Sequence, residues 1–106
     1  MTAVIGSWRI RISTPIGTML ADVEFEEADG ALTGVARGKD EDVQLRDILV
    51  VTEGQGERVT WSQSITRPMR LNLDFEVVVD GDTMTGVSRA GRLPKSRVSG
   101  ERLPVG

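Results

Sequence analysis

The sequence contains no cysteine, no histidine and no tyrosine. Without cysteine, disulfide scaffolds, thiolate metal sites and thiol nucleophiles are excluded. Without histidine, the side chain that most often serves as general base and metal ligand is missing, and a Ser-His-Asp triad cannot be built. Long apolar runs are missing as well: Ile48-Leu49-Val50-Val51 is far too short to span a bilayer. The opening Met1-Thr2-Ala3-Val4-Ile5 has neither the basic start nor the apolar stretch of a signal peptide. No phosphate-binding glycine loop precedes a helical pattern, and Asp40-Glu41-Asp42 is too little for a carboxylate-only metal site. The expectation is therefore a soluble, cytoplasmic protein with no membrane partner, no metal and no cofactor.

What is present fits one small domain. The chain has 106 residues, 39% of them hydrophobic and 27% charged, with a net charge of −3. Apolar and polar residues alternate with a period of two through most of its length, which is a strand pattern. Turn signals such as Asp29-Gly30, Gly38-Lys39-Asp40-Glu41, Gly54-Gln55-Gly56, Arg67-Pro68 and Asp80-Gly81 interrupt it. They delimit eight strands, at 7–14, 18–28, 31–37, 43–51, 57–66, 69–79, 83–90 and 96–103. An even number of short strands joined by tight turns predicts an all-β, eight-stranded antiparallel up-and-down β-barrel filling residues 1–106.

The chain also repeats itself. Trp8, Ile12 and Pro15 align with Trp61, Ile65 and Pro68, and Phe25-Glu26 with Phe75-Glu76. Asp29-Gly30 aligns with Asp80-Gly81, and Thr33-Gly34-Val35 with Thr85-Gly86-Val87. Two four-stranded halves follow, at about residues 6–53 and 59–103, neither able to bury its apolar face alone.

Alternation assigns faces. Trp8, Ile10 and Ile12 share one side of the first strand, and Met19, Ala21, Val23 and Phe25 one side of the second. A pairing through the Pro15–Gly17 turn sets Trp8 opposite Phe25 and brings Arg9 and Arg11 near Asp22 and Glu24. In the second half, Trp61, Gln63 and Ile65 face Leu71, Leu73 and Phe75, with Trp61 opposite Phe75. The small residues Gly34, Ala36, Gly86 and Ser88 leave room on the same side, either for a ligand or for the tryptophans themselves. Three polar residues break apolar faces. Asp47 interrupts Val43, Leu45, Leu49 and Val51, Gln63 lies between Trp61 and Ile65, and Ser88 follows Gly86. Each orients a ligand in an apolar pocket, or is satisfied locally, Asp47 at a bulge and the others near a rim. Asp47 inside an apolar barrel would have a raised pKa and is the one candidate catalytic acid or base. Ile48 and Val78 fall on the outward side of this assignment. The basic segment from Arg89 to Arg97 has no interleaved aromatic residue, so it reads as a solvated loop and not as a nucleic-acid site.

Gly6-Ser7-Trp8 resembles the Gly-X-Trp opening of the calycin barrels, the lipocalins and avidins. Asp29-Gly30-Ala31-Leu32-Thr33-Gly34 is similar to the hairpin entering the third strand of avidin-like proteins. The tandem Trp, Pro, Asp-Gly and Gly units also look like those of small bacterial barrel domains. The calycin resemblance implies that Trp8 closes one end with Arg97 or Arg102 packed on it, and that the scaffold takes small, largely apolar molecules. With no tyrosine and Asn72 as the single asparagine, an avidin-type biotin site is not carried over.

The leading expectation is a barrel binding a small apolar or aromatic molecule through Trp8, Met19, Phe25, Trp61, Gln63, Leu73, Phe75 and Ser88. A histidine-free cyclase or isomerase on the same barrel is the alternative, working by substrate folding and proton transfer. A filled structural or self-assembly barrel is the third reading, and a homodimer is compatible with all three.

Overall fold

The computed structural model describes residues 3–14, 17–38, 41–66 and 70–104. The turn residues Pro15 and Ile16, Lys39 and Asp40, and Arg67 and Pro68 lie outside the described residues, as does Met69 at the start of one expected strand. The alternating segments form β1 (Gly6–Thr14), β2 (Gly17–Ala28), β3 (Ala31–Arg37), β4 (Asp42–Gln44), β5 (Arg46–Glu53), β6 (Gly56–Ile65), β7 (Leu71–Asp80), β8 (Thr83–Ala90) and β9 (Ser96–Arg102). All pairings are antiparallel, in the order β4-β3-β2-β1-β9-β8-β7-β6-β5, and the result is an up-and-down, nearly closed barrel. Among the described residues no helix is long and apolar enough to cross a membrane.

The described residues form nine strands and not the expected eight, and the difference lies in the fourth run. The run divides between two partners, its first part on β3 and its second on β6. The chain therefore turns a corner at Leu45, whose N–H donates to the Gly34 carbonyl at 2.9 Å. The Leu45 side chain lies over Gly34, so closely that a Cβ there would stand 2.7 Å from Leu45 Cδ1. A register shift between Arg46 and Leu49 follows, with Asp47 at φ 55°. This is a β-bulge, and its extra residue inverts the alternation beyond it. Ile48 and Val50 pack against the core, while Leu49 is 60% and Val51 49% exposed, the reverse of the expected faces.

Faces elsewhere follow the alternation. Trp8, Ile10, Val23, Phe25, Trp61, Phe75, Val77 and Val98 are buried in one core. Trp61 pairs with Phe75 as expected, but Trp8 pairs with Val23, and Gly6 stands opposite Phe25. The Trp61 and Phe75 rings stack at 4.8 Å, and Phe25 meets Trp61 edge-on at 5.3 Å. Outside, Arg9 bonds Asp22 at 3.0 Å, but Arg11 lies opposite Leu20, and Glu24 accepts from Arg37 instead. Arg58 joins Glu53 on β5 to Glu76 on β7. Its hydrogen bonds hold the Glu53 carboxyl below its ordinary range. Such exposed pairs favour one register more than they add stability.

Two of the expected spaces are occupied. Leu45 fills the one beside Gly34. At Gly86 a Cβ would stand 2.0 Å from the Glu76 carbonyl oxygen, so glycine there admits the backbone of the neighbouring strand.

One end of the barrel is sealed. The Arg102 guanidinium lies 4.4 Å from the Trp8 ring centroid. It donates to the carbonyls of Ile5 at 2.8 Å and Ala3 at 2.6 Å, and to Asp82 at 3.0 Å. Trp8 Nε1 donates to the Val4 carbonyl at 2.8 Å, and Val4 is fully buried. Of the two arginines named from the sequence, Arg102 is the one on the ring.

Two stability predictions follow. Asp47→Gly should leave the urea midpoint unchanged or raise it, and Asp47→Val should cost about 1–2 kcal/mol, because a β-branched residue resists positive φ. Equal stability of the two variants would contradict the bulge. Arg102→Ala should cost about 2–3 kcal/mol through lost charged hydrogen bonds and the ring contact. Arg102→Lys should not restore it, since a single ammonium nitrogen cannot reach the two carbonyls and the Asp82 carboxylate while covering the Trp8 ring.

Candidate functional site

The strand ends opposite the Trp8 seal surround an open cavity of about 460 Å³. Its wall is built by inward side chains: Ile10 and Ile12 from β1, Met19 and Ala21 from β2, Ala36 from β3, Val43 from β4, and Gln63, Ile65 and Leu73 from β6 and β7. Alternation on β1, β2, β3, β6 and β7 puts these residues on one face, and the pairing of Val43 with Ala36 adds β4 to the side. Met19, 37% exposed, stands at the mouth. Thr18 and Glu41 are the polar rim, and both Glu41 carboxylate oxygens already accept from Thr66, at 2.7 Å from its N–H and 2.8 Å from its hydroxyl.

Gln63 is the polar group of the interior wall. It is 5% exposed, and its Oε1 accepts a 3.0 Å hydrogen bond from Trp61 Nε1. Trp61 and Phe75 stand one inward position deeper on their strands than Gln63 and Leu73. The aromatic trio with Phe25 is thus a floor under the cavity, with Gln63 anchored to it.

The residues named from the sequence separate accordingly. Met19, Gln63 and Leu73 line the cavity. Phe25, Trp61 and Phe75 form the packed layer beneath, and Trp8 belongs to the sealed end. Ser88 is buried opposite Phe75 and does not line the cavity. Asp47 is exposed on the bulge, outside the barrel, which removes the apolar surroundings assumed for a catalytic acid. Ile10, Ile12, Ala21, Ala36, Val43 and Ile65 line the cavity too; alternation puts them on inward faces, but no residue type sets them apart from ordinary core. The rings fill volume, and the smaller residues bound the space that remains.

A second depression, about 470 Å³, runs over the outer face of β5 to β8. Asp47, Asp74 and Glu76 on it stand beside Arg89 and Lys95, a trough of mixed charge open to water. Asp74 accepts from Ser62 and Glu76 from Arg58.

Charge is distributed unevenly along the barrel. Arg92 and Lys95 lie exposed in the turn between β8 and β9, at the open end, with Arg89 and Arg97 beside it; none forms an ion pair among the described residues. Glu26, Glu27, Asp29, Asp80 and Asp82 cluster around the turns of the sealed end. Among the described residues no group of three acidic side chains is placed to hold a metal ion. In comparisons with protein-family models, curated proteins and solved structures, the chain has no match.

Proposed function

We propose that the protein binds a small, largely apolar or aromatic molecule in the cavity at the open end of the barrel. The observation that carries this reading is the cavity itself, about 460 Å³ and walled almost entirely by apolar side chains around one buried amide. Small-molecule sites have this composition and size: apolar walls with a few placed polar groups. A rigid aromatic floor and a sealed far end leave one way in, and both keep the wall preorganised for a ligand.

The scaffold reading goes with it. Gly6-Ser7-Trp8, the Arg102–Trp8 contact and the hairpins at Asp29-Gly30 and Asp80-Gly81 support a calycin-like barrel derived from a duplicated half. On this reading the protein acts in the cytoplasm as a binding module and uses no cofactor. The cyclase alternative is not favoured by a specific group, since Asp47 lies on the outer surface.

The test is a titration with N-phenyl-1-naphthylamine, an uncharged probe whose emission rises in apolar surroundings. A saturable, one-to-one rise is expected, and Ala21→Phe, which places a ring in the cavity, should weaken it roughly tenfold or more, equivalent to about 1.4 kcal/mol. A rise unaffected by Ala21→Phe would place the probe elsewhere and overturn the proposal.

A further inference from the structure

Gln63 says more about the ligand than its polarity alone. A glutamine amide has one acceptor end and one donor end, and a free amide can rotate to offer either. Here it cannot. The indole N–H of Trp61 only donates, so the 3.0 Å contact must be made with Oε1. Trp61 is itself held, stacked on Phe75 at 4.8 Å and met edge-on by Phe25 at 5.3 Å. The amide is therefore pinned with its oxygen toward the floor and its NH₂ group left over.

That NH₂ group has no partner among the described residues, although the side chain is 5% exposed and stands in the wall of the cavity. A buried donor without an acceptor is costly, and the other interior walls, Ile10, Ile12, Ala21, Ile65 and Leu73, offer none.

We infer that the site selects an apolar molecule bearing a hydrogen-bond acceptor, a carbonyl or a comparable oxygen, set to receive Gln63 Nε2–H, and that Trp61 is the positioning residue that makes the site donor-only. This rests on the binding reading above and names the ligand class within it. Discrimination comes from the orphan left behind: a ligand without an acceptor strands the amide, whereas one with an acceptor satisfies it.

The experiment compares two probes of nearly equal shape, 2-acetonaphthone and 2-isopropenylnaphthalene, which differ by a carbonyl oxygen against a methylene. Binding is followed by two-dimensional amide NMR of the whole protein, which resolves the Gln63 side-chain NH₂ and the Trp61 indole N–H. The ketone should bind about tenfold more tightly, with the Gln63 amide protons moving downfield. In Gln63→Leu the two probes should bind equally. In Trp61→Phe the amide is freed to rotate, and the preference for 2-acetonaphthone over carbazole, whose N–H donates and which has no oxygen to accept, should shrink. Should Gln63→Leu fail to fold, the ketone-to-hydrocarbon ratio and the amide shift in the unaltered protein still decide. Equal binding of both probes with an unmoved Gln63 amide overturns this inference and leaves the binding reading standing. Binding of neither probe overturns the binding reading, and the inference with it.

Discussion

A sheet rolled toward closure has to dispose of its two edges, and in this protein both belong to one continuous stretch of chain. β4 pairs with β3 and β5 with β6, and only Leu45 separates them. The corner works because Gly34 has no side chain where Leu45 must lie, and because Asp47 accepts a positive φ that lets the strand change direction. Much else depends on this arrangement. The bulge turns Ile48 and Val50 inward to finish the core. The pairing of Val43 with Ala36 adds β4 to the cavity wall.

The two ends of the barrel are built on different principles. At the sealed end, one arginine satisfies backbone carbonyls from the N-terminal segment while covering a tryptophan face. Polar and apolar requirements are met by the same side chain, so nothing there is left to bind. At the open end the walls are apolar and the buried Gln63 amide is half satisfied among the described residues. The stacked rings between them separate a finished interior from an unfinished one. That contrast is why a functional reading attaches to one end and not to the other.

Much of this was legible in the residues. Period-two alternation survives in nearly every strand, so architecture and inward faces could be read directly, and Gln63 stood out as a polar residue on an apolar face. The pairing of Trp8 with Phe25 was missed by two positions along β2, an even displacement that preserves the face and changes only the partner. Asp47 at a bulge was one of its two readings, and the bulge is there; the inversion of faces beyond it was not foreseen. From Ile48 to Val51 both faces are apolar, so nothing in the pattern marks which set turns inward beyond Asp47, and the inversion comes from the extra residue of the bulge. Gly34 and Gly86 were read as room for a ligand or for the two tryptophans. A glycine shows that something comes close, and here the visitors are Leu45 and the backbone of β7.

The arginine clasp at the sealed end also fixes where the chain enters and leaves the barrel. Ala3 and Arg102 are tied to each other there by a 2.6 Å hydrogen bond, on the side away from the cavity mouth. A handle, a fluorophore or a surface anchor joined to either end of these residues would emerge from the base of the cup and leave its rim clear. The molecule can thus be held upright by its foot while its opening faces the solution, an orientation suited to a sensor surface.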